Sequence, residues 1–355
     1  MKAEVVVVDK KNPDPEIIEK AGQILKKGGL VAFPTETVYG LGGNALDPMA
    51  SMKIYAAKGR PSDNPLIVHI AELDKLKVIV SEIPEKAGIL AEKFWPGPLT
   101  MILPKGEIVP RETTGGLDSV AVRFPSDPVA QALIRAAGGF VAAPSANTSG
   151  RPSPTMAGHV EEDLGDAIDM ILDGGQVGIG LESTIIDFTE EVPVVLRPGY
   201  ISLDMLKETI EDVKMDRGLL ITDSSVHPKA PGMKYRHYAP KADLAVVEGP
   251  EEAVIRYINT AADEAEKKKK RVGIIASAET ASRYGKGIVR SIGSREREEE
   301  IALHLYEVLR NFDSDEVSAI YSEAFYTPRM GQAIMNRLLK AAGHKIIHLS
   351  QEEEK

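Results

Sequence analysis

Short apolar runs bounded by glycine or proline recur through the first part of the chain and alternate with stretches of helical spacing. Such runs are typical of buried strands. The clearest helix starts are the Asp-Pro pairs at Asp47 and Asp127, where the carboxylate can cap the helix and proline suits its first turn. The pattern predicts a mixed α/β sheet with helices packed on it. Strands are expected at 4–8, 30–33, 66–70, 99–103, 120–124, 140–143, 170–172, 184–188 and 194–197, and helices at 15–27, 47–57, 84–94 and 128–137.

After Asp243 the strand-like and helical stretches alternate more regularly, which predicts a parallel, doubly wound sheet. A chain of 355 residues is also long for a single core, so two domains are expected. We predict an N-terminal domain at 1–205, a linker or lid at 206–242, and a smaller C-terminal domain at 243–355. The C-terminal strands are expected at 244–247, 272–276, 288–292, 319–321 and 346–349, and the helices near 251–268, 296–311 and 329–342.

The pattern between residues 202 and 242 is looser than elsewhere. Breakers are concentrated at 224–232, and the dense aromatic and basic run Met233-Lys234-Tyr235-Arg236-His237-Tyr238 follows them. Composition alone favours a plain linker. A linker has no need of such side chains, however, and loops that carry them are often functional. Both interpretations stay open on the sequence.

The composition limits the kinds of site that this chain can carry. The net charge is −10, with 53 acidic and 43 basic residues, so any anion site must be a local pocket rather than a broad basic surface. The chain has no cysteine, which excludes disulfides, thiol nucleophiles and cysteine-ligated zinc. Its seven histidines lack metal-ligand spacing. The absence of a long apolar run or signal-peptide pattern favours a cytoplasmic protein.

A glycine-rich run at 40–45 follows a predicted strand and fits a loose dinucleotide fingerprint. The position about 20 residues later, where a ribose-binding acid would be expected, is Arg60. We therefore interpret these glycines as a tight turn from strand to helix. The second glycine run, at 174–180, predicts a close backbone approach without specifying a ligand. A Walker-type loop is absent from the sequence.

Four cations lie at predicted strand or helix ends beside breaker residues: Lys58, Arg60, Arg123 and Arg197. Such a set is typical of a convergent anion pocket, because Arg binds phosphate or carboxylate with two donors and Lys offers a compact charge. Lys58 and Arg60 can also be explained as partners of a helix dipole. Small polar groups such as Ser145 follow another strand, where they would either cap a helix or contact a ligand.

Several strings occur together in one order: Thr35-Glu36-Thr37-Val38-Tyr39-Gly40-Leu41, Lys58-Gly59-Arg60, Val122-Arg123-Phe124-Pro125, Ser145-Ala146-Asn147, Glu182-Ser183-Thr184 and Leu196-Arg197-Pro198-Gly199. In this order and rough spacing the chain resembles the threonylcarbamoyl-AMP synthase family, the YrdC-like proteins, in its long two-domain form. The resemblance covers about residues 15–240. It implies a YrdC-like N-terminal sheet and a Rossmann-like C-terminal accessory domain.

The resemblance also implies a reaction. L-threonine and bicarbonate or CO2 would form an N-carboxy-threonine that attacks the α-phosphate of ATP, giving threonylcarbamoyl-AMP and pyrophosphate. A separate tRNA threonylcarbamoyl transferase would then use the product to modify tRNA next to the anticodon. Mg²⁺ would be held mainly through the ATP phosphates rather than by protein ligands. No membrane association is expected, and direct tRNA binding is expected to be weak or absent.

Site residues follow from the same resemblance. Those implied for catalysis are Lys58, Arg60, Ser145 and Asn147. Those implied for ATP binding are Lys58, Arg60, Asn64, Ser119, Ser145, Ser153, Arg197, Tyr235 and His237. Those implied for L-threonine binding are Thr37, His69, Arg123, Ala143 and Ser183, with Arg123 pairing with the substrate carboxylate. The segment at 230–240 would close over the reactants and exclude water.

Two other functions fit parts of the sequence. A non-catalytic RNA-binding or ribosome-assembly factor could use the same cations on an RNA backbone, but the net charge and the lack of aromatic clusters in the first domain disfavour it. A carbamoyl-phosphate-using transferase of the hydrogenase-maturation type contains a related domain. That architecture carries cysteine zinc modules, which a chain without cysteine cannot form.

Overall fold

The computed structural model describes residues 2–216 and 237–350, and its chain divides into two compact units. The first unit comprises Met1–Ser149 and Ser153–Tyr235, and the second comprises Gly150–Pro152 and Arg236–Lys355. No helix in the described ranges is long and apolar enough to cross a membrane.

The first unit is built on a mixed sheet of eleven strands within the described residues. Their order across the sheet is β1-β8-β2-β3-β7-β4-β6-β5-β9-β10-β11, with parallel and antiparallel neighbours. The predicted mixed α/β sheet is therefore confirmed. The strands are β1 (Glu4–Val7), β2 (Val31–Phe33), β3 (Gly40–Asn44), β4 (Ile67–His69), β5 (Leu99–Pro104), β6 (Ser119–Arg123), β7 (Val141–Ala142), β8 (Met170–Asp173), β9 (Thr184–Asp187), β10 (Val194–Arg197) and β11 (Lys214–Met215).

Three helices of the first unit begin as the Asp-Pro pattern predicts. The carboxylates of Asp14, Asp47 and Asp127 each accept a hydrogen bond from a backbone N–H two residues later, and proline occupies the first turn. Between the helices at 15–26 and 128–136 the backbones lie so close that a Cβ at Gly22 would be 2.7 Å from Ala136 Cβ. The helices are α1 (Pro15–Lys26), α2 (Pro48–Lys58), α3 (Leu76–Ile79), α4 (Glu85–Phe94), α5 (Pro128–Ala136), α6 (Ala157–Leu164) and α7 (Leu203–Ile210).

The second unit has a sheet of five parallel strands in the order β14-β13-β15-β12-β16. This confirms the predicted doubly wound sheet. Its core packs one apolar face of α8, including Ile255 and Ile258, against β12 and β13. The elements are β12 (Asp243–Glu248), α8 (Glu251–Lys267), β13 (Val272–Ala276), β14 (Ile288–Ser291), α9 (Glu298–Ser314), β15 (Ala319–Glu323), α10 (Gly331–Ala341) and β16 (Ile346–His348).

The interpretation of residues 40–45 as a turn is wrong. Gly40–Asn44 form strand β3, which pairs antiparallel with β2 and β7. The glycines are needed for packing, because a Cβ at Gly42 would lie 3.0 Å from both the Phe33 ring and Val141. Helix α7 also occupies part of the segment where the pattern loosened, and Ser202 caps it by accepting a hydrogen bond from Met205 N.

Candidate functional site

Lys58 joins the two short motifs that carry the predicted catalytic residues. It is the last residue of α2, its side chain is buried, and its Nζ donates to the carbonyl oxygens of Ser145 and Asn147. Gly59 ends the helix in the left-handed region at φ 59°, which turns the chain away directly after the lysine. Lys58 therefore links the Lys58-Gly59-Arg60 turn to the Ser145-Ala146-Asn147 loop by hydrogen bonds, and is not a solvated partner of the helix dipole.

Arg60 and Asn64 lie in the loop between α2 and β4, and both are buried. Arg60 folds over this loop, with its Nε donating to Asn64 O at 3.2 Å and its Nη2 to Pro65 O at 3.0 Å. In the neighbouring loop, Ser145 Oγ donates to Asn147 Oδ1 at 2.5 Å. Backbone carbonyls thus fix the position of the cations, and the two predicted catalytic loops lie side by side.

His69 and Arg123 form the centre of the predicted threonine site. They end β4 and β6, and they are register partners in this parallel pair, so their side chains share one face. Arg123 Nη2 lies 2.7 Å from Glu36 Oε1 in a nearly buried ion pair. Thr37, next to Glu36, is buried and its hydroxyl lies 2.9 Å from that of Thr35.

The His69 imidazole is neutral. Complete burial, followed by the nearby Arg123 charge, lowers its pKa from 6.5 to about 3. Its Nδ1 lies 3.1 Å from Ile67 O, an oxygen that can only accept, so Nδ1 carries the proton. The other ring nitrogen, Nε2, then keeps a lone pair that can accept a hydrogen bond.

Ser183 and Arg197 form a third group at the ends of adjacent strands. Arg197 donates from Nε to Ser183 O at 3.0 Å and from Nη2 to Ser183 Oγ at 3.1 Å. Ser183 Oγ also lies 2.8 Å from the hydroxyl of Thr100, which is the register partner of Arg123 across β5 and β6. The preceding residue, Glu182, accepts from Ser153 Oγ at 2.5 Å, which places predicted ATP-binding Ser153 beside this group.

The loop at 34–40 connects the Arg123 group to the Lys58 and Ser145 group, since it also carries Glu36. It carries Thr37, and its end bonds to the loop that carries Ser145, through Ala146 N to Tyr39 O at 2.8 Å and a bridge between Gly40 and Ser145. Predicted threonine-site residue Ala143 is tied to β4 by its N–H, which donates to Ile67 O at 2.9 Å. Predicted threonine residues Thr37 and Ala143 and predicted ATP residue Ser145 therefore lie on neighbouring, hydrogen-bonded stretches of backbone.

Ser119, a predicted ATP residue of the first unit, lies apart from these groups. Ser119 begins β6 and shares a face with Arg123, but it is four residues away, about 13 Å along the strand. His237 belongs to the second unit, where its ring is tilted against Tyr238 at 5.6 Å. Tyr235, and the predicted lid apart from residues 237–240, lie outside the described residues.

Sequence reasoning missed three residues that the structure brings to these groups. Glu36 and Glu182 stand inside the quoted motifs, so the signal was present but was not used. Thr100 carries no sequence signal, because only the register of β5 against β6 places it beside Arg123. Taken together, the site offers buried cations, a neutral imidazole and small hydroxyls. That set suits the binding of a polyphosphate next to a small zwitterion, held for reaction rather than attacked covalently.

Two family models match this chain. A family model described as "Telomere recombination", that of the Sua5/YciO/YrdC proteins, matches residues 23–199. A second model, described as "Threonylcarbamoyl-AMP synthase, C-terminal domain", matches residues 201–343.

Full-length relatives match nearly the whole chain. The threonylcarbamoyl-AMP synthase of Pyrococcus abyssi is 49% identical over 93% of this chain and 95% of its own length, and that of Bacillus subtilis is 48% identical over 94% and 95%. The crystal structure of P. abyssi Sua5 complexed with L-threonine superposes with a TM-score of 0.92 at 46% identity, covering 97% of this chain and 99% of that one. The chain therefore belongs to the threonylcarbamoyl-AMP synthase family, in its long form with a C-terminal accessory domain.

Proposed function

We propose that this enzyme is a nucleotidyltransferase that makes threonylcarbamoyl-AMP and pyrophosphate from L-threonine, bicarbonate or CO2, and ATP. The observation that carries the proposal is the 34–40 loop, which links the Arg123 group to the Lys58 and Ser145 group through the Ala146–Tyr39 hydrogen bond and the Gly40–Ser145 bridge. An N-carboxylated amino acid held by the first group would be delivered next to a nucleotide held by the second. The relative crystallised with L-threonine supports the choice of amino acid.

The chemical step requires positioning and charge rather than a protein nucleophile. The new carboxylate oxygen forms a bond to the α-phosphorus of ATP, the bond from that phosphorus to the β-bridging oxygen breaks, and the electron pair leaves with pyrophosphate. Lys58, Arg60 and Arg197 would face the negative charge of the phosphates. Preorganised cations in a water-poor site act most strongly on charge that develops in the transition state.

Threonine would be held by side chains around Arg123 and Ser183. The Arg123 guanidinium would pair with the substrate carboxylate, with both donors in one plane. The hydroxyls of Thr37 and Ser183 and the bare Nε2 of His69 would complete its polar contacts. A neutral His69 suits this role, because a second cation beside Arg123 would compete with the substrate's ammonium group.

Mg²⁺ would accompany ATP. The ion would be held mainly through the ATP phosphates, because Mg²⁺ prefers hard oxygen ligands such as those of phosphate. When bound there, it would neutralise charge on the departing pyrophosphate. The product would then be used by a separate transferase acting on tRNA.

Pyrophosphate release tests the proposal. The purified chain should release pyrophosphate only when L-threonine, bicarbonate, ATP and Mg²⁺ are all present, and the product mass should be that of threonylcarbamoyl-AMP. Release that continues in CO2-depleted buffer, or without threonine, would contradict the reaction. RNA binding without any pyrophosphate release would instead favour a non-catalytic RNA-binding factor.

A further inference from the structure

Glu36 and Arg123 form an ion pair with unused hydrogen-bonding capacity. Their charged ends meet at 2.7 Å, and the side chains are 14% and 5% exposed. Within the described part of the chain, neither Glu36 oxygen, nor Nε or Nη2 of Arg123, has a well-aligned hydrogen-bond partner, although all four atoms are buried. Two opposite charges are therefore largely buried against each other, and these four atoms keep unused hydrogen-bonding capacity among the described residues.

Such an arrangement is costly by itself. Buried polar atoms in folded proteins are almost always hydrogen-bonded, and a buried charge left short of partners is strongly disfavoured. A ligand that brings its own ammonium and carboxylate would satisfy both sides, because the ammonium offers donors to Glu36 and the carboxylate offers acceptors to Arg123. An α-amino acid is the simplest ligand that carries both groups at this spacing.

The backbone keeps Glu36 in place. Its carbonyl accepts from Ile179 N at 2.9 Å, and the carbonyl of Thr37 accepts from Gly180 N at 3.0 Å. Within the loop, Thr35 Oγ1 donates to Val38 O at 2.6 Å and accepts from Thr37 N at 3.1 Å. The Glu36 carboxylate therefore extends from a loop that is held both by hydrogen bonds to residues 179–180 and by hydrogen bonds within the loop. A preorganised binding group requires such support.

We propose that Glu36 binds the ammonium group of the amino-acid substrate and that its ion pair with Arg123 opens when the substrate enters. This inference rests on the proposed function of the same site. In the structure the Glu36 carboxylate lies on Arg123 where the substrate carboxylate would bind. A carboxylic acid without an amine could displace Glu36 only by leaving a buried carboxylate unpaired.

The pair therefore acts as a selectivity device. Sites built around a buried polar group reject analogues that cannot satisfy it far more strongly than they reject small changes in apolar shape. The matched analogue of threonine is 3-hydroxybutyrate, which keeps the carboxylate and hydroxyl but lacks the ammonium. Wild-type protein should bind it at least about 100-fold more weakly than L-threonine.

Calorimetric titration of the full chain with each ligand, without ATP, tests the inference. In Glu36→Gln the affinity for L-threonine should fall at least about 10-fold, whereas the affinity for 3-hydroxybutyrate should stay equal or rise, because Arg123 no longer has an internal partner. Opposite responses of two ligands cannot arise from general damage to the loop. Glu36→Asp, which keeps the charge one methylene further back, should restore part of the preference.

Glu72→Gln is the matched control, since Glu72 also faces an arginine, Arg135 at 3.8 Å, but on the surface. It should leave both affinities unchanged. Equal weakening of both ligands in Glu36→Gln, or unchanged threonine binding, would overturn the role of Glu36 while leaving the proposed function standing. Wild-type protein that binds no threonine would instead overturn the proposed function, and this inference with it.

Discussion

The two units differ in the charged residues that end some of their strands. In the first unit Arg123 and Arg197 end β6 and β10, and both are buried. In the second unit the carboxylates of Glu248 and Glu323 end β12 and β15. The carboxyl edge of a doubly wound parallel sheet is where such folds commonly bind nucleotides. Topology alone would therefore assign ATP to the second unit.

The charged side chains instead favour phosphate binding in the first unit. Helix α8 begins at this edge, but its first turn carries Glu251 and Glu252, which already occupy the positive end of the helix dipole. The first unit has no Walker-type loop, yet its cations are suited to phosphates. A fold permits a site, and the side chains at its strand ends decide what that site can bind.

Glu323→Ala should have the largest effect, because it removes the acceptor at the centre of a hydrogen-bond network in the second unit. Glu323 is buried and accepts from Tyr284 Oη and Arg295 Nη2 at 2.7 Å, and from Thr280 Oγ1 and Ser277 N. Removal leaves these donors without their acceptor. The free energy of unfolding should fall by about 3–5 kcal/mol, measured by chemical denaturation.

The control for Glu323→Ala is Glu264→Ala, which removes an exposed carboxylate on α8. It should change the free energy of unfolding by less than about 0.5 kcal/mol. A loss of under about 1 kcal/mol for Glu323→Ala would show that the hydrogen bonds of Glu323 do not stabilise the second unit. A ligand-binding role for Glu323 would then have to be reconsidered.

Lys58→Ala tests the cationic side of the comparison. It removes the tie to Ser145 O and Asn147 O together with a charge proposed to face the phosphates. We expect a loss of about 2–4 kcal/mol of transition-state stabilisation, measured as kcat/KM for ATP in the pyrophosphate assay. Lys53→Ala is the control on the same helix, since the one hydrogen bond of its side chain to a described residue is to Gly28 O. Equal activity of the two variants would remove Lys58 from the site.

Local sequence pattern predicts some strands of this fold and misses others whose formation depends on packing. The strands rich in β-branched residues, such as β10 and β13, were predicted at their observed bounds because local pattern and burial agree. Strand β3 was missed because its sequence, Gly-Leu-Gly-Gly-Asn, has low strand propensity and is selected by the packing of Phe33 and Val141.

The site shows the same division. Motifs located its loops, but the pairing of Glu36 with Arg123 depends on where a loop and a distant strand end meet in three dimensions. The register of β5 against β6 likewise brings Thr100 to Arg123. No local pattern carries such information. The roles assigned to individual residues by resemblance stay predictions that the variants above can test.

His69 gives a pH test specific to the first unit. Its folded pKa of about 3 lies below the unfolded value of 6.5, so the unfolded state binds more protons between these values. Stability is therefore lost as the pH falls through this window, by about 1.4 kcal/mol per pH unit. Between pH 7 and pH 5 the contribution should be about 2 kcal/mol. Denaturation of the wild type and of His69→Asn at both values isolates it, and equal pH dependence in the two proteins would contradict a neutral, buried His69.

Asp47→Ala should have the smallest effect, and it separates the stability of α2 from the position of Lys58. Asp47 caps the helix by accepting from Met49 N at 2.9 Å, so its loss should lower the free energy of unfolding by about 1 kcal/mol. Asp14→Ala removes the equivalent cap of α1, where Asp14 Oδ1 accepts a hydrogen bond from Glu16 N at 2.8 Å. It should lower the free energy of unfolding by about the same amount.

Neither cap variant should change kcat/KM by more than about twofold. Lys58 lies at the far end of α2, about 16 Å from Asp47, and is fixed there by the carbonyls of Ser145 and Asn147. Fraying of the first turn therefore leaves the ammonium group in place. A tenfold loss of kcat/KM in Asp47→Ala alone would show that the whole of α2 positions Lys58 as a rigid body. The contrast between a cation positioned by loop carbonyls in the first unit and carboxylates positioned by side chains in the second would then not hold.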